Sequence, residues 1–285
     1  MSDTAFQKQY RQEFIKGYEQ RQSMLRMSTT TEAVIKGNQA EFLVADSGGA
    51  ETSTRGVNGL IPARADNNEQ NTCTLSEEHD LVKKTGFNIF ASQGDQRRIM
   101  QVTTMGTVNR KIDNQIITQL NTGTQTTGTA STASLTLATK ALGILGLAEV
   151  EYDGQICAAI TTAFLAYLQR DAAFASADYV NVKPLADMNT SGSMEFTQGY
   201  YQWMGVKWIV HPRLPGRGTA AEKCFMYHKD AIGHAANTEE MNTALGYDEE
   251  QDYSFCRASI YSGAKLLQNT GIVVINHDGS AIVSS

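Results

Sequence analysis

Between Asp95 and Leu120 (DQRRIMQVTTMGTVNRKIDNQIITQL) the apolar residues recur at helical rather than alternating spacing. At 100° per residue, Ile99, Val102, Met105, Gly106, Ile112, Ile116, Ile117 and Leu120 fall within an arc of roughly 140°, as in a core-facing stripe. Thr104, Thr107, Lys111, Asn114, Gln115 and Thr118 lie outside it. The spacing predicts one helix about 39 Å long, with Asp95 as N-cap and Gly123, with Asn121 as a fallback, in the left-handed conformation after its end. β-branched residues and Gly106 give the segment poor intrinsic propensity, so packing along the stripe must hold it. Asn109 and Asp113 fall inside the stripe. An unpaired buried polar group costs roughly 1 to 3 kcal/mol, so both are expected to hydrogen-bond to backbone or to a neighbouring chain.

The pattern differs on either side of this helix. Phe6, Tyr10, Phe14 and Tyr18 stand four apart within residues 4–26, interleaved with Lys8, Arg11, Lys16, Arg21 and Arg26, which predicts an amphipathic N-terminal arm. Glu13, Glu19 and several Gln dilute its positive charge, which favours docking on a protein over a membrane surface. EAVIKGNQAEFLVAD and TCTLSEEHDLVKK read as extended chain on either side of the glycine-rich SGGAETSTRGVNGL, a long two-stranded ribbon with a glycine-rich tip. So few large apolar side chains cannot bury a core of their own, so the ribbon is expected to be ordered by a neighbouring subunit.

After the helix, TGTQTTGTASTAS reads as a low-complexity linker. LTLATKALGILGLAEV predicts a helix, QICAAITT a buried strand and AFLAYLQRD a further helix. GYYQWMGVKWIVHPRLPG predicts two strands around a tight turn at Gly205, with Val206, Trp208 and Val210 on one side. KCFMYHKDAIGHAA reads as a strand passing into a short helix, and SFCRASIYSGAKLLQNTGIVVINHD as strands that return to close the sheet backing the long helix.

The 285 residues suffice for a sizeable core without covalent help. Cys73, Cys157, Cys224 and Cys256 are far apart and form no CxxC pair, so they read as buried free thiols. No apolar run is long enough to span a bilayer, which predicts a soluble protein made in a reducing cytosol. The net charge of −6 argues against a dedicated nucleic-acid reader but not against a surface that encloses nucleic acid. Glu239, Glu240, Asp248, Glu249, Glu250 and Asp252 form an acidic run, read as a solvated face or an inter-subunit contact.

Signatures of chemistry are sparse. The chain has no phosphate loop, dinucleotide fingerprint, nucleophile elbow or HExxH motif. Cys224 and His228 are four apart on a predicted strand, about 13 Å from one another and too far for a nucleophile pair. His211 reads as a strand-end residue and His79 as exposed. Asp187, Asn189, Ser191, Gly192, Ser193 and Glu195 imitate a calcium loop, but Gln198 replaces its bidentate glutamate, which leaves an ordinary turn.

The order of these parts carries more information than any one motif. FQKQYRQEFIKGYEQRQSMLR, FLVADSGGAETSTRGVNGLIPAR and DQRRIMQVTTMGTVNRKIDNQIITQL resemble the N-terminal arm, extended loop and spine helix of the tailed-bacteriophage major capsid protein, the Hong Kong 97-type fold. QICAAITTAFLAYLQRD, GVKWIVHPRLP and KCFMYHKDAIGHA are similar to its axial-domain segments. The resemblance implies an α+β fold with an arm at 1–30, an extended β-ribbon loop at 31–90, and a peripheral domain with the spine helix at 91–130. An α/β axial domain would follow at 131–254, with peripheral return strands at 255–285. It further implies a structural, non-enzymatic subunit that assembles as pentamers and hexamers of an icosahedral head around double-stranded DNA. No catalytic residue, cofactor, metal or membrane is expected.

The contacts expected between subunits are Phe6, Tyr10 and Phe14 on the arm, and Arg55, Leu60, Ile61 and Arg64 on the ribbon. The chain departs from some members of the family in two ways. It has no lysine between Lys36 and Lys83, so no isopeptide cross-link is expected from the ribbon tip. Its arm begins almost at Met1, so a separate scaffolding protein is expected, alongside a portal. The protein is expected in the virion after synthesis in the host cytoplasm. Two rival readings are an encapsulin-like compartment shell and a soluble α/β enzyme with an unrecognised site.

Overall fold

The computed structural model describes residues 22–32, 35, 37–47, 49–59, 61–91, 95–171 and 201–283. Two sheets flank one long helix. A four-stranded sheet has the order β1-β9-β10-β4, formed by β1 (Thr30–Glu32), β4 (Ser76–Thr85), β9 (Ile232–Asp248) and β10 (Tyr253–Leu266). A five-stranded sheet has the order β11-β8-β5-β7-β6, formed by β5 (Ile156–Ile160), β6 (Tyr201–Trp203), β7 (Val206–Val210), β8 (Glu222–His228) and β11 (Ile272–His277). β2 (Gln39–Asp46) and β3 (Asn67–Thr74) pair only with one another, as an antiparallel ribbon running in register from Gln39 opposite Thr74 to Asp46 opposite Asn67.

After the short helix α1 (Gly86–Ala91), α2 runs unbroken from Gln96 to Leu120, and the Asp95 side chain accepts from the Arg98 N–H as predicted. The end differs from expectation. Asn121 is right-handed helical, and Gly123 is not among the glycines of positive φ. Gly123 is needed for proximity, because a Cβ there would lie 2.9 Å from Ile272 Cγ2 on β11. The buried face also differs from the predicted stripe. Over the second half, Ile112, Ile116, Ile117 and Leu120 are buried as expected, whereas over the first half Gln96, Met100, Thr104 and Val108 are buried and Ile99, Val102 and Met105 only partly so. The cause is the four-stranded sheet, which covers one side along the helix: Thr107 donates to Asp80, Lys111 pairs with Glu78, and Gln115 bonds to Ser76 and Ser262. Only the second half also meets the five-stranded unit.

That unit is the hydrophobic centre. β5 (ICAAI) is buried at every position and flanked by β7 in parallel and β8 antiparallel, which is why it reads as a continuous apolar run. Helices α3 (Leu135–Leu147) and α4 (Thr162–Arg170) pack there, capped by Ser134 and Thr161 side chains that accept from the third helical N–H. Met204 and Gly205 both have positive φ, which makes the tight turn between β6 and β7. Val206 and Trp208 face inward as expected, and Val210 is half-buried.

Three further expectations are corrected. The segment after β8 makes a single 3-10 turn, Lys229–Ala231, and continues as β9 rather than as a helix. The closing strands divide between the sheets: β10 backs α2, while β11 pairs with β8, because Ile272, Val273, Val274 and Ile275 are all buried and need cover on both faces. β9 likewise belongs to the four-stranded sheet, so the strand pairing does not follow the 131–254 and 255–285 boundaries. The presumed linker is laced along β11, with Thr127 donating to Val274 O, Val274 to Gln125 O, and Asp278 to Ser131 O.

The ribbon is rooted at one end only. Phe42 packs on Gly233 of β9, where a Cβ would come within 2.9 Å of its ring, and Ile35, Ala40, Cys73, Ala235 and Leu267 complete a small satellite core. At Leu75 the second strand leaves the ribbon and continues as β4 in the four-stranded sheet. Gly263 of β10 lets this root close, since a Cβ there would stand 2.6 Å from Thr74 O and 3.0 Å from Cys73 Sγ. Gly263→Ala is therefore expected to destabilise the chain by about 1 to 3 kcal/mol, read as a lower urea midpoint. An unchanged midpoint would contradict this account of the root.

Candidate assembly surface

Along β2 the inward face is buried at Ala40 and Phe42 and half-buried at Val44, and cover then ends. Every described residue from 49 to 70 is exposed. The run Phe42-Leu43-Val44 puts apolar side chains on both faces, so while Phe42 is inside, Leu43 is 80% exposed. Val57, in the turn closed by the Gly59 N–H to Gly56 O bond, and Ile61, at 69% exposure, extend this uncovered apolar surface.

Of the residues expected at contacts, Arg55, Ile61 and Arg64 lie together on this exposed tip, and Arg64 pairs with Asp66 at 2.5 Å. Leu60 of the ribbon, and Phe6, Tyr10 and Phe14 of the arm, lie outside the described residues, as does the imitation calcium loop at 187–198. Leu43 and Val57 were not singled out from the sequence. The signal for Leu43 was the unbroken apolar triplet, which leaves no polar face for an exposed ribbon.

The base of the arm is built around a second feature. Asp113 of α2 is 1% exposed, and its carboxylate accepts from the Ser23 hydroxyl at 2.6 Å, the Met24 N–H at 3.0 Å and the Leu25 N–H at 3.3 Å. His211, at the end of β7 and fully buried, takes an N–H from Arg213 on Nδ1 and so donates from Nε2 to Asp113 at 3.2 Å. Burial opposes ionisation of Asp113, but the bonds from His211, Met24 and Ser23 more than offset it and hold its pKa below the ordinary carboxylate value. The polar residue inside the helical stripe thus finds backbone partners as expected, and the strand-end histidine is its buried neighbour.

The other candidates for chemistry are engaged within the fold. His228 bonds to Asp153 at 3.2 Å and accepts the Asp230 N–H, so its ring is tied down at the end of β8. Burial pushes the thiols of Cys157 and Cys224 up to about 11 and about 12, far from the thiolate form a nucleophile needs. A cavity of about 500 Å³ beside α4 is lined by Thr161, His211, Arg217 and Glu222 among others. There Glu222 accepts from the Thr161 hydroxyl and the Gly218 N–H, His211 is held by Asp113, and Arg217 donates to Pro212 O. His79 bridges Glu77 at 2.9 Å and Ser259 at 3.0 Å on the sheet surface. Among the described residues no group of three or more His, Cys, Asp or Glu is arranged to hold a metal, and no helix is long and apolar enough to cross a membrane.

Among the described residues, a long helix thus packs on two sheets and a rooted ribbon carries an exposed apolar tip. A family model described as phage capsid protein matches residues 2–279, and the chain belongs to that family. No curated protein matches. Among solved structures, one from Mycobacterium phage Che8 superposes with a TM-score of 0.70 at 15% identity, covering 97% of this chain and 98% of that one. The capsid of Ralstonia phage GP4 gives 0.68 at 10% identity over 97% and 96%, and the capsid of a native GTA particle 0.67 at 13% over 96% of each. The fold is the Hong Kong 97-type capsid fold, α+β in class. Asp113→Ala is expected to cost about 3 to 5 kcal/mol, because it strips the arm base and His211 of a shared buried partner. Urea unfolding measures this, and a loss under about 1 kcal/mol would refute the joint's importance.

Proposed function

We propose that this capsid protein is the major shell subunit, and that copies associate as pentamers and hexamers in which the β2-β3 ribbon of one lies across the next. The observation that carries this is the bare ribbon: Leu43 on β2 and Val57 and Ile61 at the tip are exposed, and the buried face of β2 ends at Val44. Two strands alone are marginal in water, and exposed apolar side chains on them gain their burial only from a neighbour. Repeating such a heterologous contact around rotation axes closes a shell. Arg55, Ile61, Arg64 and Leu60 would meet the adjacent copy, with Phe6, Tyr10 and Phe14 bracing from the arm.

On this reading the role is structural and not enzymatic, the protein resides in the virion after synthesis in the host cytoplasm, and the shell encloses double-stranded DNA without reading its sequence. The acid-rich composition, with net charge −6, suits enclosure better than tight binding. A separate scaffolding protein and a portal would complete assembly. The family match favours a phage head over a cargo compartment.

Deleting residues 47–60 is expected to leave the subunit folded, with its far-ultraviolet dichroism and urea midpoint near those of the parent, but unable to form shells by negative-stain microscopy. Normal particles from the deletion would overturn the proposal. Because the ribbon lacks lysine, mature particles are expected to run as one band near 31.1 kDa on denaturing electrophoresis. A ladder of covalent multimers would contradict that.

A further inference from the structure

The arm base sits on a buried polar cluster larger than the Asp113 contacts alone. His234 of β9 is 0% exposed, and neither ring nitrogen has a hydrogen-bond partner among the described residues. It stands beside Thr31 of β1, the strand that continues directly from the arm base, and opposite Ala264 of β10. Tyr227 of β8, also fully buried, shares a 2.5 Å hydrogen bond with Ser28. The charged and titratable groups that act on this cluster come from every element around it: Asp113 from α2, His211 from the end of β7, Cys157 from β5, Tyr227 from β8, His234 from β9 and Arg26 from the arm base itself. Ser23, Met24 and Leu25 are thus held by one carboxylate, and β1, which follows them, pairs with a strand whose buried imidazole has no hydrogen-bond partner among the described residues.

Both groups respond to acid in the same direction. We propose that this cluster is an acid-sensitive latch: with Asp113 ionised and His234 neutral it clamps Ser23–Ser28 and β1 onto α2 and both sheets, and on acidification it releases them. A proton on His234 would be a buried charge with no acceptor and with Arg26 nearby, so the protonated ring favours the state in which β1 lifts and water enters. Burial, reinforced by Arg26 and partly offset by Asp113, lowers the His234 pKa from 6.5 to about 4. A group depressed in this way weakens the closed state as pH falls from about 6.5 to about 4. Asp113, whose pKa is also lowered, holds its bonds above the ordinary carboxylate range and gives them up only at still lower pH. Between pH 8 and pH 4.5 the His234 linkage alone therefore shifts the closed–open equilibrium towards release. The latch rests on the geometry inside one chain and stands or falls apart from the shell reading.

Hydrogen exchange in the unassembled full-length chain tests it, with amide rates normalised to the intrinsic rate at each pH. The Met24 and Leu25 amides, which donate to Asp113, are expected to lose protection by a factor of ten or more between pH 7 and pH 4.5. The emission of buried Trp203 and Trp208 should stay native over that range. His234→Leu should keep these amides protected to pH 4.5, and Asp113→Asn should release them already at pH 7. Protection in the parent chain that does not change down to pH 4.5, loss only together with the tryptophan signal, or unaltered release in a folded His234→Leu would each overturn the latch. Should His234→Leu fail to fold, the parent profile and Asp113→Asn still decide the matter.

Discussion

The carboxylate of Asp113 is the point at which the arm base, the long helix and the five-stranded sheet are tied together. Removing a carboxylate from water costs several kcal/mol, and only charge-assisted hydrogen bonds from several directions offset it. Here they come from Ser23, Met24, Leu25 and His211, that is, from a segment some ninety residues earlier and a strand end almost a hundred later. No single sheet could supply them. The same bonds that favour the ionised group also fix the relative positions of three elements. Around it, Tyr227 and Ser28 add a second bond, and His234 adds a fully buried ring with no hydrogen-bond partner among the described residues.

This joint explains how one helix serves two surroundings. α2 lies along the four-stranded sheet over its whole length, but the five-stranded unit meets only the half beyond Val108, the half that carries Asp113. The chain therefore has a firm centre where the sheets converge, a half-covered helix face at Ile99, Val102 and Met105, and a ribbon fixed at its root by Phe42, Cys73 and Gly263. Rigidity at the root with exposure at the tip suits an element that reaches another copy without losing its direction. On the proposed reading, neighbours complete the surfaces that the fold leaves open.

Much of this was legible in the sequence where one face of an element decides its fate. The helix from Gln96 to Leu120, its Asp95 cap, the buried ICAAI strand and the paired ribbon strands all follow from local period and turn chemistry. What the sequence hid depends on partners distant in the chain. The buried face of the first half of α2 is set by a sheet whose strands come from residues 76–85 and 232–266, and no local period reveals that. IVVINH and the segment before it read as neighbours, yet they part into different sheets because β11 needs cover on both faces and β10 does not. His211 gave no hint of Asp113, whereas Asp113 gave itself away as a charge inside an apolar stripe. Leu43 was hidden by treating an apolar triplet as ordinary strand.

The central claim is that the ribbon belongs to a neighbour as much as to its own chain. Electron cryomicroscopy of shells assembled from the full-length protein tests it most directly. The account predicts a map in which Leu43, Val57 and Ile61 of every ribbon are covered by the adjacent subunit while α2 and the Asp113 joint keep the arrangement described. Shells in which these three side chains face solvent, with the ribbon folded back on its own chain, would contradict it.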